Sequence, residues 1–523
     1  MKNLKIEDDE KKFIGFISTS TPDSLSMITL DFNTGKKAEE LCCNNIENID
    51  AFLQQKCSFI SRNYKALILK VFDYTKIHPY PLNIFFSLHL ANTLKYWKIP
   101  YYFLSDEALH VSAALIGANC ELELYDTVMV ILVSWNELIK IEIRRNNNGY
   151  VLCEYEKTKC EPNASEIRQK LVTVYNHQRK IAINFSSVKK SKKLLDLLWS
   201  ENVTVLQNYL QTSLAKVLIE LSKYICDENY NKYHFFQKCD QQFVVTRKIS
   251  PTEIDDFLLP NRNSRVNLPF TDICVVPRIH NYFYICILTD FNLATIVTGA
   301  RTMKEKCHQI KVTFTIDRNQ LPSFKQEPII LESITNLPKT LNEKCKDSRI
   351  PVIGFLDNLS VICIWNEKEN SYKFLDSWNG LDGKNLFLSF ENEKPEIVDR
   401  ALDIDHKKPP HIVYHLLKIM SMSSNKIQTD TEWGFTITKD DDNPVLLEFD
   451  SHDGSKKAAS PAFLMAILLK EHKKVIKAEI GKKPKEFGFC IFGDFNAESQ
   501  KRVENELKAA CELKKDICHF INA

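Results

Sequence analysis

Hydrophobic positions in the first part of the chain follow two alternating patterns, one typical of strands and one typical of amphipathic helices. Residues 13–31 contain two apolar runs on either side of a polar Ser/Thr/Pro turn, and residues 65–72 form the continuous apolar run of a buried strand. Residues 48–59 and 85–97 space their apolar side chains three and four apart, which predicts helices with one buried face. This alternation predicts an α/β fold.

The following segments add an antiparallel meander to this pattern. A short strand at 99–104 precedes a helix of small residues at 108–116, for which Ser105 is the predicted N-cap. Three strands are predicted at 127–134, 138–144 and 150–155, and helices at 164–175 and 191–225.

The pattern changes near residue 240, where short apolar strands begin to alternate with Pro and Asn turns. Residues 243–324 therefore predict a small β-rich domain, and residues 326–348 a linker with a short helix. The strand–turn–strand pattern of residues 13–31 then restarts at 350–365. After this restart, helices are predicted at 395–402, 411–422, 460–476 and 498–513, and strands at 372–375, 386–390, 432–438, 445–449 and 487–492.

Composition is that of ordinary globular domains. The chain has 523 residues, of which 44% are hydrophobic and 26% charged, so several domains can each bury a core. A net charge of +2 gives no electrostatic reason to expect nucleic acid or an anionic membrane as a partner. The apolar run 128–133 is far too short for a membrane span, and the charged N-terminus has no signal-like apolar segment. We therefore expect a cytoplasmic protein, with the nucleus as the alternative location, whose 16 cysteines are mostly reduced.

Glycine is unusually scarce. Only 13 of the 523 residues are glycine, about a third of the usual share. Because glycine allows the backbone to approach a phosphate closely, the chain has few places for a phosphate cradle.

Two other features are weak candidates for binding chemistry. His411 and His415 lie four residues apart in the predicted helix 411–422, a spacing at which two histidines can share a metal ion. No third ligand is identifiable, so we expect no metal site. Basic runs at 189–193, 471–477 and 481–485 are interpreted as solvated helix faces.

The C-terminal sequence resembles a known ATPase lobe. The segment VIGFLDNLSVICIW (352–365) is similar to the V-G-I-D-L-G-T-T-x-S-C-V-A-I-W hairpin that opens the ATPase domain of the 70-kDa heat-shock chaperones, within the actin-like ATPase superfamily. Residues 446–510 resemble the strand, long helix and second strand that follow in this family. The helix start written P-A-Y-F-N-D in the family corresponds to Phe495-Asn496 here.

Earlier segments resemble other parts of the same family. Residues 66–115 are similar to the same strand and helix continued into E-P-T-A-A-A, and residues 127–143 lie where the second phosphate loop, F-D-L-G-G-G-T-F-D-V-S, belongs. Residues 308–324 resemble V-T-F-D-I-D-A-N-G-I-L-x-V of the substrate-binding β-sandwich. Residues 156–300 match the family least.

This resemblance implies a domain plan. Residues 1–240 would form a shortened actin-like (ribonuclease H-like) ATPase-type domain, and residues 241–325 a β-rich domain resembling the chaperone substrate-binding sandwich. A linker at 326–348 would lead to a second, truncated ATPase-type lobe at 349–523.

The resemblance also implies where a nucleotide would bind. ATPases of this superfamily are implied to clamp the phosphates between two glycine-rich hairpins, with carboxylates for Mg²⁺ and a lysine near the γ-phosphate. The matching positions in this sequence are Gly15, Glu107, Gly354, Asp357 and Lys418.

Most residues that this chemistry needs are replaced. Ile17 and Leu356 occupy the positions of metal-side aspartates, Trp135 lies where the backbone must approach a phosphate, and Asn358-Leu359 replace G-T-T. Considered without the resemblance, the remaining candidates have ordinary interpretations. Asp357 is predicted as a turn residue, Glu107 as a first-turn helix charge, and Lys418 as a solvated helix-face residue.

These replacements favour a heat-shock-chaperone-like pseudo-ATPase that acts in protein folding or as a protein–protein interaction module. We expect no catalytic residues and no bound cofactor, with Mg-ATP as the alternative, and proteins rather than nucleic acid or membrane as partners. Two other functions stay open: an active ATP-dependent chaperone that binds unfolded protein, and a pure interaction scaffold.

Overall fold

The protein is of the mixed α/β class. A computed structural model describes residues 11–46, 48–134, 137–159, 179–184, 203–239, 241–249, 254–258, 266–279, 282–288, 294–301, 306–398, 409–430 and 433–522. Within these ranges, no helix combines the length and the apolar character needed to cross a lipid bilayer.

The first unit is a five-stranded sheet of order β3-β2-β1-β4-β5. Its elements are β1 (Phe13–Thr21), β2 (Ser24–Asp31), β3 (Cys43–Ile46), α1 (Ile49–Asn63), β4 (Tyr64–Lys70), α2 (Asn83–Tyr96), β5 (Tyr101–Phe103) and α3 (Asp106–Gly117). The first three strands are antiparallel neighbours, whereas β4 and β5 are parallel to β1. Strand β1 is buried on both faces, because Ile14 belongs to one apolar core and Ile17 to another.

A second sheet repeats this arrangement in the order β8-β7-β6-β9-β10. Its elements are β6 (Thr127–Val133), β7 (Glu137–Asn146), β8 (Gly149–Lys159), β9 (Lys180–Asn184), β10 (Val203–Leu206) and α4 (Tyr209–Cys226). Ala113 of α3 and Leu218 of α4 lie in one core with Ile14 of the first sheet and Val130 of the second. The two sheets therefore enclose a shared helical layer.

The next residues form two small antiparallel sheets and a separate two-stranded pair, β11-β14. The strands are β11 (Lys238–Cys239), β12 (Gln242–Ile249), β13 (Ile254–Leu258), β14 (Val266–Asn267), β15 (Phe270–Pro277), β16 (Tyr282–Leu288), β17 (Ala294–Arg301), β18 (Gln309–Ile316) and β19 (Pro322–Ile329). One sheet has the order β13-β12-β16-β17 and the other β15-β18-β19. Val245 and Phe283 from the first and Phe314 from the second belong to one core, so residues 238–329 are called the β-rich unit below.

The C-terminal unit contains a third, six-stranded sheet of order β22-β21-β20-β30-β31, with β23 paired to β21 beside this path. Its elements are α5 (Glu332–Thr335), α6 (Leu337–Lys344), β20 (Val352–Leu356), β21 (Leu359–Asn366), β22 (Ser371–Phe374), β23 (Lys384–Asn385), β24 (Phe387–Ser389), β25 (Glu396–Val398), β26 (Ile412–Val413), α7 (Leu416–Ser421), β27 (Thr436–Thr438), β28 (Leu446–Asp450), β29 (Lys456–Ala459), α8 (Pro461–Ile480), β30 (Glu486–Phe492), α9 (Ala497–Glu512) and β31 (Ile517–Phe520). Strand β20 is antiparallel to β21 and parallel to β30, which is parallel to β31.

Helices cover both faces of this third sheet. Ile353 and Phe489 pack in one core with residues of α8 and α9, and Val352 packs on the other face. On that second face Leu337 and Leu341 of α6 are fully buried. The segment predicted as a linker thus contains the end of β19 and two helices packed on the sheet.

Several predicted elements differ from those of the structure. Residues 203–206 are strand β10 rather than part of a helix, because this β-branched run pairs with β9. Residues 396–398 are strand β25 rather than helix, paired with β24. The predicted helix 411–422 begins only at Leu416, since His415 has a left-handed conformation with φ of 58°. Residues 164–175 and 191–202, also predicted as helix, lie outside the described ranges.

Candidate functional site at the strand hairpins

Gly15 and Gly354 occupy equivalent places in the first and third sheets, in the middle of β1 and β20. A Cβ at position 15 would lie 2.5 Å from Cδ2 of Leu67 and 2.7 Å from Cε of Met27. A Cβ at position 354 would lie 2.8 Å from Cγ2 of Val361 and 2.9 Å from Cε2 of Phe492. Packing against neighbouring strands therefore accounts for both glycines without a phosphate.

The turn between β20 and β21 consists of Asp357 and Asn358. Asp357 has φ of 47°, a conformation that Asp adopts more readily than most residues. Asn358 is only 2% exposed, and its Oδ1 accepts a hydrogen bond from the backbone N–H of His415 at 2.9 Å. Its carbonyl accepts from the N–H of Leu386 at 2.8 Å. This turn therefore holds the chain segments leading to β24 and α7.

Arg278 of the β-rich unit covers this hairpin. Its Nε donates to Oδ1 of Asn385 at 2.8 Å, and its two terminal nitrogens donate to the carbonyls of Asp382 at 2.6 Å and Gly383 at 3.1 Å. A further bond of 3.0 Å to the carbonyl of Cys307 holds the guanidinium on its own unit. The arginine thus joins the β-rich unit to the segment beside β21.

The space left at the covered hairpin is small. Pro277, Arg278 and Ile279 line it from one side and residues 356–359 from the other. The cavity has a volume of about 20 Å³, enough for one water molecule and far too little for a triphosphate. The Nδ2 of Asn358 is buried there with no hydrogen-bond partner among the described residues.

His308 forms a second connection between the same two units. Its Nε2 lies 2.8 Å from the carbonyl of Leu381, and its Nδ1 accepts the backbone N–H of Leu331 at 2.9 Å. The proton therefore lies on Nε2. Burial lowers the pKa of His308, so the ring stays neutral and keeps both bonds.

Gly383 is required where Arg278 is bound. It has φ of 61°, and a Cβ there would overlap the backbone carbonyl of Ser360, which cannot move without breaking the sheet. Gly454 also has a positive φ, 77°, but a Cβ there would meet nothing within 4 Å.

This pair of glycines allows a matched test. Both Gly383→Ala and Gly454→Ala impose a positive φ on alanine, which costs about 1–3 kcal/mol. Gly383→Ala adds an overlap with backbone, so we expect it to lower the free energy of unfolding by about 2 kcal/mol more than Gly454→Ala. Urea unfolding of the two variants measures this difference, and equal losses would contradict the close contact.

The corresponding region of the first unit contains an ion pair. Nζ of Lys70, at the end of β4, lies 2.5 Å from Oδ1 of Asp106 in the first turn of α3. Ser105 is the N-cap, as predicted, and its Oγ accepts the N–H of Ala108 at 3.1 Å. Glu107 is half-buried in this first turn, where the helix dipole stabilises a negative charge.

The second hairpin and the lysine candidate complete the predicted set. Trp135, which the resemblance places in the second phosphate loop, lies outside the described residues. Lys418 is in α7, where its Nζ lies 2.9 Å from Oδ2 of Asp430 and its side chain is 43% exposed. The five candidate residues therefore lie in two units of the fold, and of these only Gly354 and Asp357 share one hairpin.

The two histidines predicted one helical turn apart have separate partners within the protein. His415 is not helical, and its Nδ1 accepts a hydrogen bond from Nε1 of Trp433 at 3.1 Å. The side chain of His411 instead faces Glu391, with 3.9 Å between Nε2 and Oε2. Across the described ranges, no group of three His, Cys, Asp or Glu side chains is placed to hold a metal ion.

Sequence reasoning missed Arg278 and His308, the two side chains that cover the hairpin. Arg278 lies in residues 156–300, which match the family least, and His308 is the first residue of the segment 308–324 that resembles the substrate-binding sandwich. Comparison with known proteins adds no assignment, because no family model and no curated protein matches this chain.

Proposed function

We propose that this chain is a chaperone-like pseudo-ATPase that acts through contacts with other proteins rather than through ATP hydrolysis. The repeated sheet order supports the actin-like (ribonuclease H-like) part of this proposal. In the two five-stranded sheets and along the main path of the six-stranded sheet, three antiparallel strands are followed by two strands parallel to the first. The two-sheet β-rich unit supports the resemblance to a substrate-binding sandwich.

One observation carries the pseudo-ATPase part of the proposal. The β20–β21 hairpin, which matches the family's first phosphate loop, is buried beneath Arg278 with room for about one water molecule. Leu356 and Leu359 on either side of its turn are 6% and 3% exposed. A site that stabilises a transferring phosphoryl group needs donors and Mg²⁺ ligands that face an open volume. Polar residues such as Arg278 and Asn358 do line the space at this hairpin, but it is too small for a phosphate.

A second candidate, the active ATP-dependent chaperone, is favoured by the carboxylates of the first unit. Asp106 and Glu107 begin α3 at the carboxyl end of the parallel strands, where ligands bind in open α/β sheets. The ion pair between Lys70 and Asp106 gives that carboxylate a partner within the protein. The pseudo-ATPase therefore remains the proposal.

Mg-ATP separates the two candidates. We expect no rise in the Tm of the full chain at millimolar Mg-ATP and no release of inorganic phosphate above the rate without protein. A ligand at 100 times its Kd would stabilise the folded state by about 2.7 kcal/mol, which thermal unfolding detects easily. A Tm rise that disappears on adding EDTA would overturn the proposal in favour of the active chaperone.

Partners and location follow from the proposed function. The proposal includes proteins as partners, no nucleic acid or membrane partner, and a cytoplasmic location. The near-neutral net charge of +2 supports the absence of a nucleic-acid partner.

A further inference from the structure

A groove in the C-terminal unit lies between α7, the start of α8 and α9. Its volume is about 730 Å³, which is within the usual range of binding sites. It shares no lining residue with the cavity at the covered hairpin. The groove is therefore separate from the positions to which the family resemblance points.

One stripe of α9 forms the floor of this groove. Arg502, Glu506, Ala509 and Leu513 follow one another at intervals of four, three and four residues, which places them on one side of the helix. Eleven residues of helix span about 16 Å. An extended peptide of about five residues has the same length.

The opposite wall is apolar and adaptable. Met420 and Met422 at the end of α7, Val445, and Pro461 at the start of α8 line it. Methionine side chains adjust to differently shaped partners, which suits recognition of a short segment. Leu513 closes one end of the stripe and is 56% exposed, so an apolar residue of a partner could cover it.

Charge in the groove favours a cation. Nε of Arg502 donates to the carbonyl of Ser421 at 2.8 Å, and Nη2 donates to Oγ of Ser499 at 2.9 Å, so this guanidinium is already used within the protein. Burial raises the pKa of the Glu506 side chain, and the nearby backbone N–H of Ala462 partly offsets this rise. No lysine or arginine in the described part of the chain forms an ion pair with Glu506.

We propose that this groove binds an extended segment of a protein partner, about five residues long, that places one lysine or arginine against Glu506 between apolar side chains. A cation there would offset the cost of burying the carboxylate. This partner class adds to the proposed role in protein contacts. Its test uses no nucleotide, so the failure of either proposal is recognised separately.

Binding of labelled pentapeptides to the full chain tests the proposal. The probes are fluorescein-labelled Leu-Ala-Lys-Leu-Ala and the same peptide with glutamate at its centre, followed by fluorescence anisotropy. We expect saturable binding of the lysine peptide, at least ten times tighter than that of the glutamate peptide, and weaker binding at high salt. Glu506→Gln should weaken binding of the lysine peptide about tenfold, because glutamine has nearly the shape of glutamate but no charge.

Two further variants control this experiment. Glu504→Gln removes a charge from the same helix outside the groove lining and should leave the affinity unchanged. Ala509→Leu narrows the groove without changing its charge. It should weaken binding of the lysine peptide, and this test remains available if Glu506→Gln does not fold. The proposal is overturned if the two peptides bind equally, if neither saturates, or if butylamine displaces the lysine peptide at a concentration equal to the peptide's Kd, which would indicate a small-amine site.

Discussion

Replacing Arg278 by methionine is expected to lower the free energy of unfolding by about 3 kcal/mol and to loosen the β-rich unit from the third sheet. Arg278→Met keeps most of the apolar stem but removes every donor of the guanidinium. Asn385 and the carbonyls of Asp382 and Gly383 then lose a charged hydrogen-bond partner in a region with room for one water molecule. Such bonds contribute about 1.5–3 kcal/mol each when one partner is charged, and they are not additive.

Hydrogen exchange locates this effect. In Arg278→Met, the backbone amides of residues 356–360 and 380–386 should exchange hydrogen faster than in the parent protein. The urea midpoint of unfolding should also be lower. Arg349→Met is the matched control, because Arg349 is a half-exposed surface arginine whose Nη1 lies 3.0 Å from Oε2 of Glu367. Surface pairs of this kind contribute at most about 1 kcal/mol. Equal losses in the two variants would show that Arg278 does not hold the units together.

Local pattern was enough to predict much of the secondary structure. The strands of residues 13–31, the buried strand 65–72 and the meander after residue 127 all rest on side-chain periodicity, which acts within a few residues. The errors arose where long-range pairing decided the outcome. The β-branched residues Val203 and Val205 stand next to a helical pattern, and only their pairing with β9 makes them a strand.

The site was harder to predict than the fold for a related reason. Gly354 and Asp357 were found because they belong to one hairpin, and the hairpin has a recognisable sequence. Arg278 acts on that hairpin from more than 75 residues earlier in the chain, as one of 69 basic residues with nothing local to mark it. Its role depends on how the β-rich unit packs, which no single sequence pattern encodes. The family resemblance was therefore enough to locate the β20–β21 hairpin, whereas the position of Arg278 over it follows only from the packing of the β-rich unit.

A buried histidine links the core of the C-terminal unit to pH. His472 in α8 is fully buried, and its Nδ1 lies 2.7 Å from the carbonyl of Leu468. Because that carbonyl only accepts, Nδ1 is the protonated nitrogen, and Nε2 accepts from the hydroxyl of Ser360 at 2.8 Å. Nε1 of Trp378 donates to the same hydroxyl oxygen at 3.0 Å. The neutral ring satisfies this chain of bonds, and a second proton on Nε2 would break it.

Acid is therefore expected to destabilise this unit. Burial lowers the pKa of His472 from 6.5 to about 4. Between pH 6.5 and pH 4 the imidazole of His472 is protonated in the unfolded chain but neutral in the folded protein. The free energy of unfolding is therefore unaffected above pH 6.5 and falls as the pH drops towards 4. This difference between the two pKa values corresponds to a loss of about 3 kcal/mol in the free energy of unfolding. Urea midpoints at intervals between pH 7.5 and 4 measure it.

The contribution of this one ring is isolated by comparison with His472→Gln. The variant should be less stable at pH 7.5, since glutamine fits the Ser360 and Leu468 bonds poorly, but its stability should fall less between pH 6.5 and 4. His234, whose pKa burial lowers to about 3, is present in both proteins, and the acid sensitivity that it causes cancels in the difference. His519→Gln is the control, because that ring is about half exposed and water reaches it in the folded state. If His472→Gln and His519→Gln show the same dependence on pH as the parent, protonation of His472 does not limit the stability of the C-terminal unit.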